Sequence, residues 1–187
     1  MKQLMFSLLL IVLAVGLTNA QTTGSATTWA PIGATVLDGF TLDPGEFGLE
    51  ELNRGYTYQV YLDAVEGAWK FVSLTDPTAP ADPAAWTEFI LGGLTPGSSI
   101  TISMILPTAL IGEFGALPVS FPKAWFVPGA DYANALPFNP NAPYTVNVGF
   151  GGADALFAPE MLLTVPASVP GTEFFGVIVA SVSYTGL

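Results

Sequence analysis

Ser120-Phe121-Pro122-Lys123 carries the Ser-x-x-Lys spacing with which a lysine, one helical turn on, reaches and activates a serine hydroxyl. That chemistry needs the serine at the head of a helix. Pro118, Pro122 and Pro128 frame this pair in a strand-rich stretch, and no Lys-Thr-Gly partner accompanies it, so chance explains the match better. Paired carboxylates can run glycoside hydrolysis. Glu50 and Glu51 are adjacent, and Asp63 and Glu66 flank a turn. In a chain with fifteen acids such pairs are ordinary solvated loop charges. Asp131, Asp154 and Glu160, with Asp43 or Glu46, offer oxygens to a structural calcium ion, which wants about six to eight of them. No spaced Asp-x-Asp-x-Asp loop groups these acids. The sequence therefore predicts no cofactor, with structural calcium the one metal to look for. Gly149–Gly152 is no phosphate loop, because no helix follows it and the acidic chain repels phosphate.

Aromatic side chains offer a different chemistry. Trp29, Trp69, Trp86 and Trp125, with Tyr56, Tyr58 and Tyr61, can form a platform on which sugar rings stack. Packing of the same rings in a core or against a hairpin is the favoured explanation. Two residue types are missing altogether. Without histidine the chain lacks the commonest general base and transition-metal ligand, and without cysteine it has no disulfide and no thiolate. Catalysis is not expected.

The elements that must position these groups are strands. No stretch has helical periodicity, and turn signals recur at the spacing of a sandwich or barrel. Tyr56–Asp63 alternates cleanly, with Tyr56, Tyr58, Val60 and Leu62 on one face, and Trp69–Leu74 returns as a hairpin. Trp86–Leu91 and Ser99–Leu106 follow. In the second of these, Ile100, Ile102 and Met104 oppose Thr101, Ser103 and Ile105. The proline-rich stretch 107–143 is irregular, with room for short edge strands near Leu117–Phe121 and Ala124–Val127. Tyr144–Phe150, Glu160–Pro166 and Glu173–Tyr184 complete the chain. The last is the most apolar of these strands. Ile178, Ala180, Val182 and Tyr184 share one face and Phe175, Val177 and Val179 the other, so near its start it should be covered on both sides.

The N-terminal end reads differently. Residues 1–20 combine Lys2, an apolar run from Leu4 to Leu17 and small residues before a cleavage point after Ala20, the pattern of a secretory signal peptide. The run is shorter than the roughly 20 residues that span a bilayer. Residues 21–31 are small and polar apart from Trp29 and read as a flexible arm. Residues 32–187 then form one domain. The expected fold is all-β, a single antiparallel Ig-like or jelly-roll-like β-sandwich with an extended N-terminal arm.

Ala34-Thr35-Val36-Leu37 after the arm, Leu162-Leu163-Thr164-Val165-Pro166, Pro170-Gly171-Thr172 and the ending Ser181-Val182-Ser183-Tyr184 resemble a loose family of bacterial secreted β-sandwiches. It includes domains of unknown function, spore-coat-protein-U-like domains and fimbrial subunits. Ser99–Leu106 followed by Leu117-Pro118-Val119-Ser120 is a further point of similarity. The resemblance implies structural roles in coats, surface fibres or adhesive subunits. Many fibre-forming members receive a missing strand from a neighbour's N-terminal arm. Two features depart from that pattern: the cysteine bridge common in fibrous members is absent, and Tyr184 lies three residues before the end.

Composition points the same way. After the leader, fifteen acids face three bases, Arg54, Lys70 and Lys123, so nucleic acid and anionic lipid are poor partners. Only 10% of residues are charged while 51% are hydrophobic, a surplus of apolar surface that a neighbouring copy can cover. The expected protein is a secreted subunit of a bacterial extracellular filament or surface coat, without membrane insertion once the leader is removed. It self-assembles head to tail, with Trp29, Ile32, Val36, Leu37, Phe175, Val177 and Val179 at the assembly interface. A monomeric cell-surface module that binds glycans is the alternative.

Overall fold

The computed structural model describes residues 23–29, 41–45, 47, 49, 52–78, 86, 88–113, 115–149, 154–169 and 173–185. Residues 1–20, expected as a leader, and Ile32, Val36 and Leu37 lie outside them. The fold is all-β and antiparallel, with one sheet curled into a half-barrel, consistent with a β-sandwich. Its strands, in chain order, are β1 (Thr23–Trp29), β2 (Thr41–Asp43), β3 (Thr57–Asp63), β4 (Ala68–Ser73), β5 (Phe89–Gly92), β6 (Ser99–Ile105), β7 (Ala109–Gly112), β8 (Gly115–Ser120), β9 (Ala124–Pro128), β10 (Leu136–Phe138), β11 (Tyr144–Asn147), β12 (Ala155–Pro159), β13 (Met161–Thr164), β14 (Phe174–Phe175) and β15 (Val179–Thr185). Among the described residues one 3-10 turn, Tyr132–Asn134, interrupts them.

Three ladders result: β1-β15-β6-β11, β10-β9-β12-β5-β2 and β14-β7-β8-β13-β3-β4. One continuous apolar core draws on all three, with Ile100, Ile102, Ala180 and Val182 from the first, Leu42, Phe89, Leu91 and Phe157 from the second, and Tyr58, Val60, Leu117 and Leu163 from the third. Strand β3 buries Tyr58, Val60 and Leu62 and leaves the alternate residues half-exposed, which is the expected period-2 pattern. The β3–β4 hairpin turns where Asp63 Oδ1 accepts from the amides of Val65 (3.0 Å) and Glu66 (3.1 Å). Asp63 and Glu66 are therefore turn residues, and Glu66 pairs with Lys70.

Four expectations are corrected. Residues 21–31 were expected as a flexible arm, but Thr23–Trp29 is a strand in register with β15. Its threonines suit a pleated ribbon, and its backbone meets the unpaired edge of β15. Ala124–Val127 is not an edge strand, since β9 lies between β10 and β12. The edge goes instead to β10, whose Pro137 has no N–H to donate. Leu117–Phe121 corresponds to β8, also an inner strand, between β7 and β13. Finally, Glu173–Tyr184 is not one strand. It breaks at 176–178 into β14 and β15, which belong to different ladders. A Cβ on Gly176 would lie 2.6 Å from Leu110 Cδ2, so the chain passes close over β7 here and a larger residue would have to displace the Leu110 side chain.

Candidate functional site

Two places combine exposure with unusual chemistry. The first is the β1–β15 edge and the corner beside it. Seven registered pairs run from Thr23↔Thr185 to Trp29↔Val179. β15 is paired on its other side to β6. Its inward residues Ala180 and Val182 are fully buried, and Ile178 and Val179 nearly so. The other face fares differently where the chain enters β15: Phe175 is 67% exposed and Val177 47%. Phe175 lies opposite Ile111 (61% exposed) in the β14–β7 pair, and Ile105 (71%) lies opposite Val179. Cover on both sides is thus found at Ile178 and Val179, which are both buried, but not at Phe175 and Val177. With Ile111 and Ile105, these leave four large apolar side chains open to water where the chain passes from β14 to β15.

Of the expected interface residues, Phe175 and Val177 are exposed here, Val179 is buried, and Trp29 lies opposite Val179 in the backbone register. Ile105 and Ile111 were not singled out. Ile105 carries a signal, being the one apolar residue on the face that Thr101 and Ser103 make polar.

The second place is a cavity of about 320 Å³ beside the β3–β4 hairpin. Trp69, Lys70 and Phe71 reach it from β4, Val60 from β3, and Glu88 from just ahead of β5. Trp86 is set by an isolated bridge to Phe47, whose ring it meets edge-on at 4.9 Å. Tyr132 comes from the 3-10 turn, which Asp131 caps through the amide of Ala133. Glu88 Oε1 accepts from Trp69 Nε1 (2.7 Å) and from the Tyr132 hydroxyl (2.6 Å). Trp86 Nε1 is buried with no hydrogen-bond partner. The two indoles stand 6.3 Å apart, tilted by 51°.

Burial first, and then the hydrogen bond to Glu88 and its charge, raise the Tyr132 pKa well above the ordinary value near 10. An unfolded tyrosine loses its proton near pH 10, while folded Tyr132 holds it longer. Its contribution to stability is thus present below about pH 10 and lost as pH rises beyond it. Tyr132→Phe is expected to flatten that alkaline loss. Urea midpoints at about pH 9 and about pH 11 measure it, the variant losing less between them than the natural chain.

The other candidate groups have structural duties. Ser120 ends strand β8 and heads no helix. Lys123 Nζ lies 3.0 Å from Glu160 Oε1 and 4.3 Å from the Trp125 ring centre. Glu160, 3% exposed, also accepts from Trp125 Nε1 at 2.7 Å, so its buried charge is paired and hydrogen-bonded. Trp125 is therefore apart from Trp69 and Trp86. Tyr58 is core, stacked between Tyr56 and Phe71. Asp154 accepts from Gly93 N, and Asp131 from Asn134. Asp131, Asp154 and Glu160 thus each serve their own local contact. Among the described residues no three acidic side chains cluster to hold a metal ion, and no helix is long and apolar enough to cross a membrane. Glu46, Glu50 and Glu51 lie outside the described residues. Comparison with family models, curated proteins and solved structures returns no match.

Proposed function

We propose that the chain is a structural subunit of a bacterial extracellular filament or surface coat, assembling head to tail by passing its first strand to a neighbour. The observation that carries this reading is the place of β1. It is the first described strand, it lies at the edge of its ladder, and among the described residues its strand partner is β15 alone. A terminal edge strand is the element most easily exchanged between copies, because a neighbour's β1 makes the same seven pairs. The eleven residues 30–40 separate it from β2, and extended they reach about 40 Å. That contour length suffices for β1 of one subunit to lie on β15 of the next.

The apolar corner supports the same reading. Phe175, Val177, Ile105 and Ile111 sit where β15 begins, beside the end of β1 at Trp29. Apolar side chains gathered at one corner favour contact with another copy. A contact between different surfaces of identical subunits that does not close on itself gives a filament. Pairing also hides the β15 edge, which would otherwise recruit strands at random. The leader expected from residues 1–20 and the resemblance read from the sequence support a role outside the cell.

Deleting Gln21–Leu37 tests the reading. Electron microscopy and sedimentation of the mature protein are expected to show polymers, and the shortened chain none. Polymers from the shortened chain, identical to those of the intact one, would rule out β1 as the donor.

A further inference from the structure

We infer that the cavity beside the β3–β4 hairpin binds one ring of a neutral glycan. This does not depend on whether the chain polymerises. A pyranose has an apolar C–H face and a rim of hydroxyls. The cavity offers both complements. Trp69, Trp86 and Phe71 are partly buried aromatic walls, and of these the two indoles combine a large apolar face with a polar handle. Glu88 supplies the directional part. Its Oε1 is occupied by two fixed donors, Trp69 Nε1 and the Tyr132 hydroxyl, which hold the carboxylate in place. Among the described residues both of its hydrogen-bond partners are on Oε1, which leaves Oε2 to accept from a ligand hydroxyl. Trp86 adds a buried N–H with no acceptor, an unmet donor of the kind native structures seldom leave without a reason.

Charge selects among ligands. Glu88 turns away anions, as does a chain of formal net charge −11. Lys70 lines the same cavity and turns away cations, its ammonium held at the hairpin by Glu66. One carboxylate and one ammonium leave a site suited to uncharged hydroxylated molecules. A volume of about 320 Å³ is at the lower end of the ~300–1,000 Å³ of small-molecule sites, so it takes a single ring of a longer chain.

The test is titration of the intact mature protein with methyl glycosides and short neutral oligosaccharides of glucose, galactose, mannose, xylose and N-acetylglucosamine. Tryptophan emission and calorimetry are the readouts. At least one neutral glycan is expected to bind with an emission change. Trp86→Ala is expected to weaken it about tenfold or more. Should Trp86→Ala not fold, Trp69→Phe keeps an aromatic wall while removing the N–H that fixes Glu88, and it is expected to weaken binding too. Glu88→Gln keeps the oxygen that accepts from Trp69 and Tyr132 but puts an NH2 donor where Oε2 would accept from the ligand, and glycan binding is expected to weaken without being lost. The inference is overturned if no neutral glycan binds. It is equally overturned if tetramethylammonium or choline binds instead and Glu88→Gln abolishes that binding, or if binding survives both tryptophan variants unchanged.

Discussion

Phe157→Ala is expected to remove about 3–5 kcal/mol of stability, a large share of the roughly 5–15 kcal/mol that holds a domain folded. Phe157 has no solvent exposure. It sits at the middle of β12, the strand with β9 on one side and β5 on the other. Its ring stacks on Phe89 at 5.0 Å with 19° between planes, and Phe89 lies directly across the ladder from it. Truncation leaves a cavity walled by a strand on each side, and neither can move in without breaking its own pairs. The cost is therefore the lost transfer energy plus the unrelaxed void. With a slope of about 1–3 kcal/mol per molar urea, the midpoint falls by about 2 M. Val65→Ala is the control. Val65 is almost fully exposed at the hairpin turn, and its loss is expected to stay within about 0.5 kcal/mol. A Phe157→Ala midpoint no lower than that of Val65→Ala would mean that β12 is not the centre of its ladder.

That strand was also the one the residues concealed best. Ala155-Leu156-Phe157-Ala158-Pro159 is short and buried on both faces, so it has no alternation to betray it. β3 and β6 were legible because each has one face toward the core and one toward more polar surroundings, which leaves a period of two in the chain. β7 and β10 lie in a stretch crowded with proline, where local propensity argues against strands. Tertiary pairing forms them there nonetheless, with Pro137 kept to an outer edge. The break at 176–178 was illegible for a different reason. Phe174 to Tyr184 is continuously strand-like, and only the approach of Leu110 to Gly176 reveals that the chain must change ladders there.

The same division runs through the two sites. Phe175 and Val177 could be read as interface residues from an apolar excess on one strand, and Trp69 and Trp86 as ring-stacking candidates from residue type. Glu88 and Tyr132 could not. They are separated by 44 positions, and each is unremarkable in its own neighbourhood. What joins them is the packing of the 3-10 turn against the hairpin, where the Tyr132 ring lies against Gly67. A hydrogen bond between residues so far apart leaves no local trace in a single sequence.

Paired cysteines across β1 and β15 are expected to convert the assembly into a covalent ladder. The chain has no cysteine of its own, so an introduced pair meets no competing thiol. Ala26 lies opposite Val182, and Thr27 opposite Ser181. Neighbouring pairs in an antiparallel ladder alternate between Cα separations of about 4.5 and 5.5 Å, and both fall within the range a disulfide bridges. Ala26→Cys with Val182→Cys, and Thr27→Cys with Ser181→Cys, therefore sample both kinds. If β1 is exchanged, each oxidised bond joins one subunit's first strand to the next subunit's last. Every chain then carries one donor bond and one acceptor bond. Denaturing gels without reductant are expected to show a regular series of multimers that collapses to a single band on reduction. Single-cysteine variants have one sulfur each and stop at dimers, which separates strand exchange from chance contact. Oxidised monomer alone, from both double variants and at concentrations where the natural chain polymerises, would place β1 on its own β15 and end the case for exchange.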